Sequence, residues 1–180
     1  MPRNFNTNTD NNDEWLTPPA IIAALGPFDL DPCSPIHRPW DTAKRHFTRL
    51  DDGLSMPWSE ERERERERER VWLNPPYGRE TFLWLERLAT HGNGTALIFA
   101  RTETKGFHEQ VWDKATALFF FKGRLCFHRV DGSKGGTANA PSCLIAYGEY
   151  NAQRILEASQ AGKIQGKFVR LKAVRCSKNS

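Results

Sequence analysis

Val71-Trp72-Leu73-Asn74-Pro75-Pro76-Tyr77-Gly78 runs three apolar residues into two prolines. Val71, Trp72 and Leu73 read as a short buried strand, with β-type residues and no polar position. The prolines end it, because each lacks the ladder N–H and fixes φ. The chain must therefore turn rigidly at the strand's carboxyl end. In open α/β sheets that edge is where ligands bind. The turn offers an amide at Asn74, carbonyls aimed by the prolines, and an aromatic face at Tyr77. That set suits a planar, amino-bearing group such as a nucleobase. A Pro-rich turn with a surface tyrosine is the plainer reading, and the flanking strand and helix favour the functional one.

Downstream, apolar residues at 82, 85, 88 and 89 predict an amphipathic helix over 80–89, stopped by His91-Gly92-Asn93-Gly94. Residues 95–100 read as a buried strand with the polar carboxyl end Arg101-Thr102-Glu103-Thr104-Lys105-Gly106. A short helix is predicted over 107–113, strands over 117–121 and within 122–127, a Gly/Ser/Lys-rich loop over 130–141, a strand over 142–147 and a helix over 152–160. Strand and helix signals alternate, which argues for an α/β three-layer domain.

Upstream, 60–70 is a Glu-Arg run whose charges nearly cancel. It reads as a solvated loop expansion, since neither face could enter a core. Residues 34–58 read as irregular, with a short helix around 42–47. Phe28-Asp29-Leu30-Asp31-Pro32-Cys33 reads as a strand closed by a proline. Asp29 and Asp31 share its period-2 face, marking either a strand end in solvent or a polar ligand at the sheet edge. Before it, Thr17 is the expected cap and Pro18 the expected first turn of a helix over 20–25 that Gly26-Pro27 ends. The domain expectation is a disordered arm at 1–12, one folded domain at 13–161, and a basic C-terminal extension at 162–180.

One hundred and eighty residues suit a single domain with a proper core. Mean hydropathy is −0.65, and no apolar run approaches the ~20 residues of a membrane span. The N-terminus has no apolar stretch of a secretory signal. Cysteines 33, 126, 143 and 176 form no Cys-x-x-Cys pair, so free thiols and no zinc site are expected. The histidines lack metal-like spacing, and no metal is expected. A net charge of +4 is compatible with a polyanionic partner without requiring one.

In order, the chain carries Trp15-Leu16-Thr17-Pro18-Pro19, then Asp29-Leu30-Asp31-Pro32-Cys33, then Asp52-Gly53-Leu54, then Asn74-Pro75-Pro76-Tyr77. Arg101-Thr102-Glu103-Thr104-Lys105 and Gly123-Arg124-Leu125-Cys126-Phe127 follow. Over roughly 13–148 this resembles the phage-type DNA N6-adenine methyltransferase family. The resemblance implies an abbreviated Rossmann-like fold, a mixed sheet flanked by helices, that uses S-adenosylmethionine. It implies methylation of adenine N6 in double-stranded DNA by base flipping and direct in-line transfer, in a bacterial cytoplasm, by a phage- or prophage-encoded protein. Catalysis then falls to Asn74, Pro75, Pro76 and Tyr77. Cofactor contacts fall to Trp15, Thr17, Pro18, Asp29, Asp31, Pro32, Cys33 and Asp52. DNA contacts fall to Arg101, Thr102, Lys105, Arg124 and Lys134. A monomer or weak dimer is expected.

Two features depart from a plain match. Many methyltransferases have a Gly-x-Gly turn after the first strand, and here Asp31-Pro32-Cys33-Ser34-Pro35 stands in that place. About forty residues separate the first strand from the Asn-Pro-Pro-Tyr strand, too few for a full set of crossovers. Cys33 after Pro32 suggests a nucleophile for C5-cytosine methylation, but that chemistry needs the pair at the base-binding loop, so Cys33 is read as structural or cofactor-adjacent. Amino-methyltransferases of RNA, cytosine N4 or protein glutamine carry similar tetrapeptides. A catalytically inactive DNA-binding module is the alternative from another class.

Overall fold

The computed structural model describes residues 14–59 and 68–172. The arm at 1–12, residues 60–67 of the Glu-Arg run and the end of the C-terminal extension lie outside the described residues.

Helix α1 (Pro19–Leu25) leads into strands β1 (Leu30–Asp31), β2 (Arg45–His46) and β3 (Val71–Leu73). Helix α2 (Thr81–His91), β4 (Gly94–Phe99), the turn α3 (Lys105–Phe107) and a π-helical turn (His108–Trp112) follow. Strands β5 (Ala117–Phe121), β6 (Cys126–His128), β7 (Lys134–Thr137) and β8 (Ser142–Tyr147), helix α4 (Glu149–Gln160) and β9 (Gly166–Arg170) complete the order.

The described residues form a mixed seven-stranded sheet, β2-β1-β3-β4-β8-β5-β9, and a separate β6–β7 ribbon. Strands β2, β1, β3 and β4 pair in parallel, while β8 runs antiparallel to both β4 and β5. The carboxyl ends of β1, β3, β4 and β5 therefore share one edge. The chain leaves β1 toward β2 and then crosses to β3 on β1's other side, so the order reverses between β1 and β3.

Both sheet faces are covered, which is why the inner strands are apolar at successive positions rather than at alternate ones. Val71 and Leu73 face one side and pack with Leu85 and Leu88 of α2 and with Val111. Trp72 faces the other and packs with Ile21 and Leu25 of α1 and Ile155 of α4. Helix α2 buries Trp84, Leu85 and Leu88 and ends at Gly92, whose φ of 79° suits the left-handed cap.

The structure departs from the sequence expectations at five places. The cap of α1 is Pro18, with no side-chain cap bond, and Thr17 reaches elsewhere. The stretch expected as a helix at 42–47 holds strand β2, which lies alongside β1 with Leu30 opposite Arg45. The expected loop at 130–141 contains β7, paired with β6. The extension at 162–180 contributes β9, which hydrogen-bonds along β5. Arg70, at the end of the Glu-Arg run, is buried. Its Nε donates to Asn151 Oδ1 at 2.7 Å, and its Nη1 donates to the Leu25 and Pro27 carbonyls at 2.7 and 2.9 Å. Its guanidinium lies 4.2 Å from the Phe28 ring centroid. Burial lowers its pKa to about 10, which leaves it charged at neutral pH. The charge is tolerated in this core because Nε and Nη1 are satisfied by three acceptors and the guanidinium lies on an aromatic face, although Nη2 is buried without a partner among the described residues.

Candidate active site

A cavity of about 260 Å³ opens at the reversal point, between the carboxyl ends of β1 and β3. Open α/β sheets bind ligands in this crevice. One wall is Asp31-Pro32-Cys33-Ser34, leaving β1; another is Asn74-Pro75-Pro76-Tyr77, leaving β3. The two meet where the Cys33 thiol donates to the Asn74 carbonyl at 3.4 Å. A third wall is the segment Glu14-Trp15-Leu16-Thr17.

Asp31 is 3% exposed. Its carboxylate accepts from the Cys33 N–H at 3.1 Å and from the Thr42 hydroxyl. Burial nevertheless pushes its pKa up to about 6, against the opposing pull of those hydrogen bonds and of Arg38. An acid in that state gains from a cation placed beside it. Cys33 is pushed well above the usual thiol value by burial and then by Asp31, so it is held as a thiol and not as a nucleophile.

The Asn74 Nδ2 donates to Thr17 Oγ1 at 3.3 Å, and its Oδ1 has no partner among the described residues. Tyr77 is 41% exposed. One face of its ring is stacked on Phe99 at 4.1 Å and 7°. Thr81 braces the turn, donating to the Pro76 carbonyl at 2.7 Å and accepting from the Gly78 N–H at 3.1 Å.

The N-terminal wall is tied to the ribbon. Leu16 and His128 exchange backbone hydrogen bonds of 2.8 and 2.9 Å. Trp15 lies against Gly135, where a Cβ would come within 2.6 Å of the indole. Across the mouth, Arg49 Nε stands 3.6 Å from Glu14 Oε1.

The family model of the DNA N-6-adenine-methyltransferases (Dam) matches residues 4–164. The chain belongs to this family. It is an adenine-specific DNA methyltransferase, and DNA is the substrate the family implies. No curated protein and no solved structure matches the chain.

In this methyltransferase the cavity gathers Trp15, Thr17, Asp31, Pro32, Cys33, Asn74, Pro75, Pro76 and Tyr77 from the residues singled out in the sequence. Pro18, Asp29 and Asp52 are not among its walls. Asp29 is bound by Lys44 Nζ at 2.9 Å and by the Arg70 N–H at 2.8 Å. Burial works to raise its pKa, and these partners outweigh it and hold the group below the usual value. Asp52 accepts from the Ser55 hydroxyl at 2.7 Å within its own turn. Arg101 and Arg124 are exposed beyond the carboxyl ends of β4 and β5, on the edge that carries Asn74. Lys105 pairs with Glu109 at 3.6 Å, and the Thr102 carbonyl accepts from Trp112 Nε1 at 3.1 Å. Lys134 is exposed on the ribbon.

Gly53, Trp84, Thr42 and Phe99 escape the sequence reading. A Cβ on Gly53 would lie 1.9 Å from the Pro32 carbonyl oxygen, so glycine alone permits that loop to close the cavity. Trp84 lines the same corner. Only the Asp-Gly turn at 52–53 carries a local signal, and it says nothing of Pro32. Among the described residues no group of three or more His, Cys, Asp or Glu is placed to hold a metal ion. No helix among them is long and apolar enough to cross a membrane.

Proposed function

We propose that this methyltransferase binds S-adenosylmethionine in the cavity between β1 and β3, and methylates N6 of an adenine flipped out of duplex DNA. The observation that carries the reading is the convergence at one reversal point of buried Asp31 with Asn74-Pro75-Pro76-Tyr77. The parallel half of the sheet, with that reversal, supports an abbreviated Rossmann-like methyltransferase fold. The lining fits the group: indole and proline surfaces suit a planar heterocycle, and Asp31 suits a cationic one.

Bound S-adenosylmethionine supplies an electrophilic methyl on a sulfonium. The chain's own residues do the rest. Adenine N6 is a weak nucleophile, since its lone pair is delocalised into the ring. The Asn74 Oδ1 and the Pro75 carbonyl accept its two N–H bonds. They orient the lone pair toward the methyl and disperse the positive charge that grows on nitrogen. Holding the two in near-attack geometry supplies much of the rate. The cofactor would supply the methyl and leave as the neutral thioether, and the proton lost from N6 would pass to water. The open face of Tyr77 takes the base in a stack backed by Phe99. Base–aromatic stacking is worth about 1–3 kcal/mol, enough to offset much of the unstacking cost. Asp31, Trp15, Pro32 and Cys33 form the cofactor end. Arg101, Lys105, Arg124 and Lys134 contact phosphates, which makes binding strongly salt-dependent.

The test is methyl incorporation from labelled cofactor into duplex DNA, RNA and protein, followed by nucleoside analysis. N6-methyladenine in duplex DNA is the expected product. Label confined to RNA, to protein or to cytosine N4 overturns the reading.

A further inference from the structure

We propose that Thr17 is a positioning residue that couples the cofactor end of the cavity to the base end, so that cofactor binding sets the Asn74 amide for adenine. The inference rests on the reading above, in which the Asn74 oxygen accepts from the adenine amino group.

Thr17 is 2% exposed, lines the cavity, and touches Asn74 through a single hydrogen bond of 3.3 Å. A hydroxyl both donates and accepts, so this contact has two forms. In one, Thr17 Oγ1 accepts from Asn74 Nδ2, and the amide oxygen is turned to the base. In the other, the amide is rotated by half a turn, the Thr17 hydroxyl donates to the oxygen, and the amide NH2 is turned to the base. The first form receives an amino group; the second opposes donor to donor. Among the described residues the Thr17 hydroxyl proton has no acceptor apart from Asn74. Before the cofactor binds, no described protein group on the Thr17 side selects between the two forms.

A hydrogen-bond acceptor at the cofactor end changes that balance. The carboxylate of the cofactor's amino-acid part is such a group. Once it takes the Thr17 proton, Thr17 can only accept from Asn74, and the oxygen is committed to the base. The chain of bonds runs from adenine N–H to Asn74 Oδ1, from Asn74 Nδ2 to Thr17 Oγ1, and from the Thr17 hydroxyl to the carboxylate. Each bond polarises the next. The coupling is reciprocal, so DNA tightens cofactor binding by the same factor.

The test measures duplex DNA affinity by fluorescence anisotropy with and without saturating S-adenosylhomocysteine, which keeps the carboxylate and lacks the methyl. Wild type is expected to bind DNA about twofold tighter with it, the gain from committing the amide to one of two equally available forms. Thr17→Val keeps the shape, removes the hydroxyl, and is expected to bring that ratio to about one. It also lowers kcat, with a smaller change in the KM for DNA. Thr17→Ser restores both, which a packing role for the threonine methyl does not predict. A wild-type ratio of one, or an undiminished ratio in Thr17→Val, overturns the proposal. Failure of the underlying reading is distinguishable: Asn74→Ala then transfers methyl normally, whatever Thr17 does.

Discussion

Asp31 is the residue where burial and chemistry pull against each other. Prolines and indoles around it raise its pKa from 3.8 to about 6, although Thr42 and the Cys33 N–H both favour the charged form. The folded protein therefore holds a proton that the unfolded chain releases, between those two values. This group's contribution to stability is fully present below 3.8 and is lost as pH rises through 6. Two pKa units correspond to about 3 kcal/mol. Asp31→Asn is accordingly expected to raise the melting temperature of the ligand-free protein at pH 8, and to leave it nearly unchanged at pH 4. The same substitution is expected to weaken S-adenosylmethionine binding, and to remove the rise in affinity expected of wild type between pH 5 and 7, as Asp31 ionises. Thermal scans and calorimetry across that range check both. A stability difference that is equal at pH 4 and pH 8 takes the carboxyl out of this role.

At the scale of elements, the fold depends on a residue that belongs to no strand or helix. Arg70 ends the Glu-Arg run and sits just before β3, with hydrogen bonds to Asn151 at the start of α4 and to the carbonyls that close α1. Arg70→Ala leaves the Leu25 and Pro27 carbonyls without a donor, while Asn151 Oδ1 keeps the Thr95 hydroxyl at 3.4 Å. Unsatisfied groups of this kind cost about 1–3 kcal/mol each, so a melting temperature lower by about 4–24 °C is expected. A change under 2 °C in a thermal scan contradicts this account of the clasp. The sequence conceals the role because alternating charges read as solvent-facing, and only the folded chain brings α1 and α4 to the same arginine. The apolar strands are different. β3, β4, β5 and β8 are legible because strands covered on both faces are continuously apolar. β2 is two half-buried residues, and β7 is Lys134-Gly135-Gly136-Thr137. Both owe their strand form to the partner beside them, β1 and β6, and not to their own side chains.

Across the whole molecule, the candidate active site is a meeting of three chain segments at one sheet reversal. Two of its parts were legible as local patterns: a strand stopped by prolines at 75–76, and an acid before Pro32 at the end of another. Thr17 stands out in the sequence, yet its partner is Asn74, 57 positions away, and no local pattern reveals that. Phe99 behind Tyr77, and Gly53 beneath Pro32, join the candidate site only because β3 lies beside β4 and a loop folds back on β1. Family membership establishes that the enzyme methylates adenine in DNA. Which groups hold the amino nitrogen is the central claim, and Asn74→Ala tests it most directly. With purified protein, labelled S-adenosylmethionine and duplex DNA, wild type is expected to form N6-methyladenine. Asn74→Ala is expected to lose at least about a hundredfold in rate, the effect of removing one hydrogen-bonding group aimed at transition-state charge, while binding S-adenosylmethionine within about threefold of wild type by calorimetry. Transfer near the wild-type rate by Asn74→Ala, or parallel loss of transfer and of cofactor binding, would contradict it.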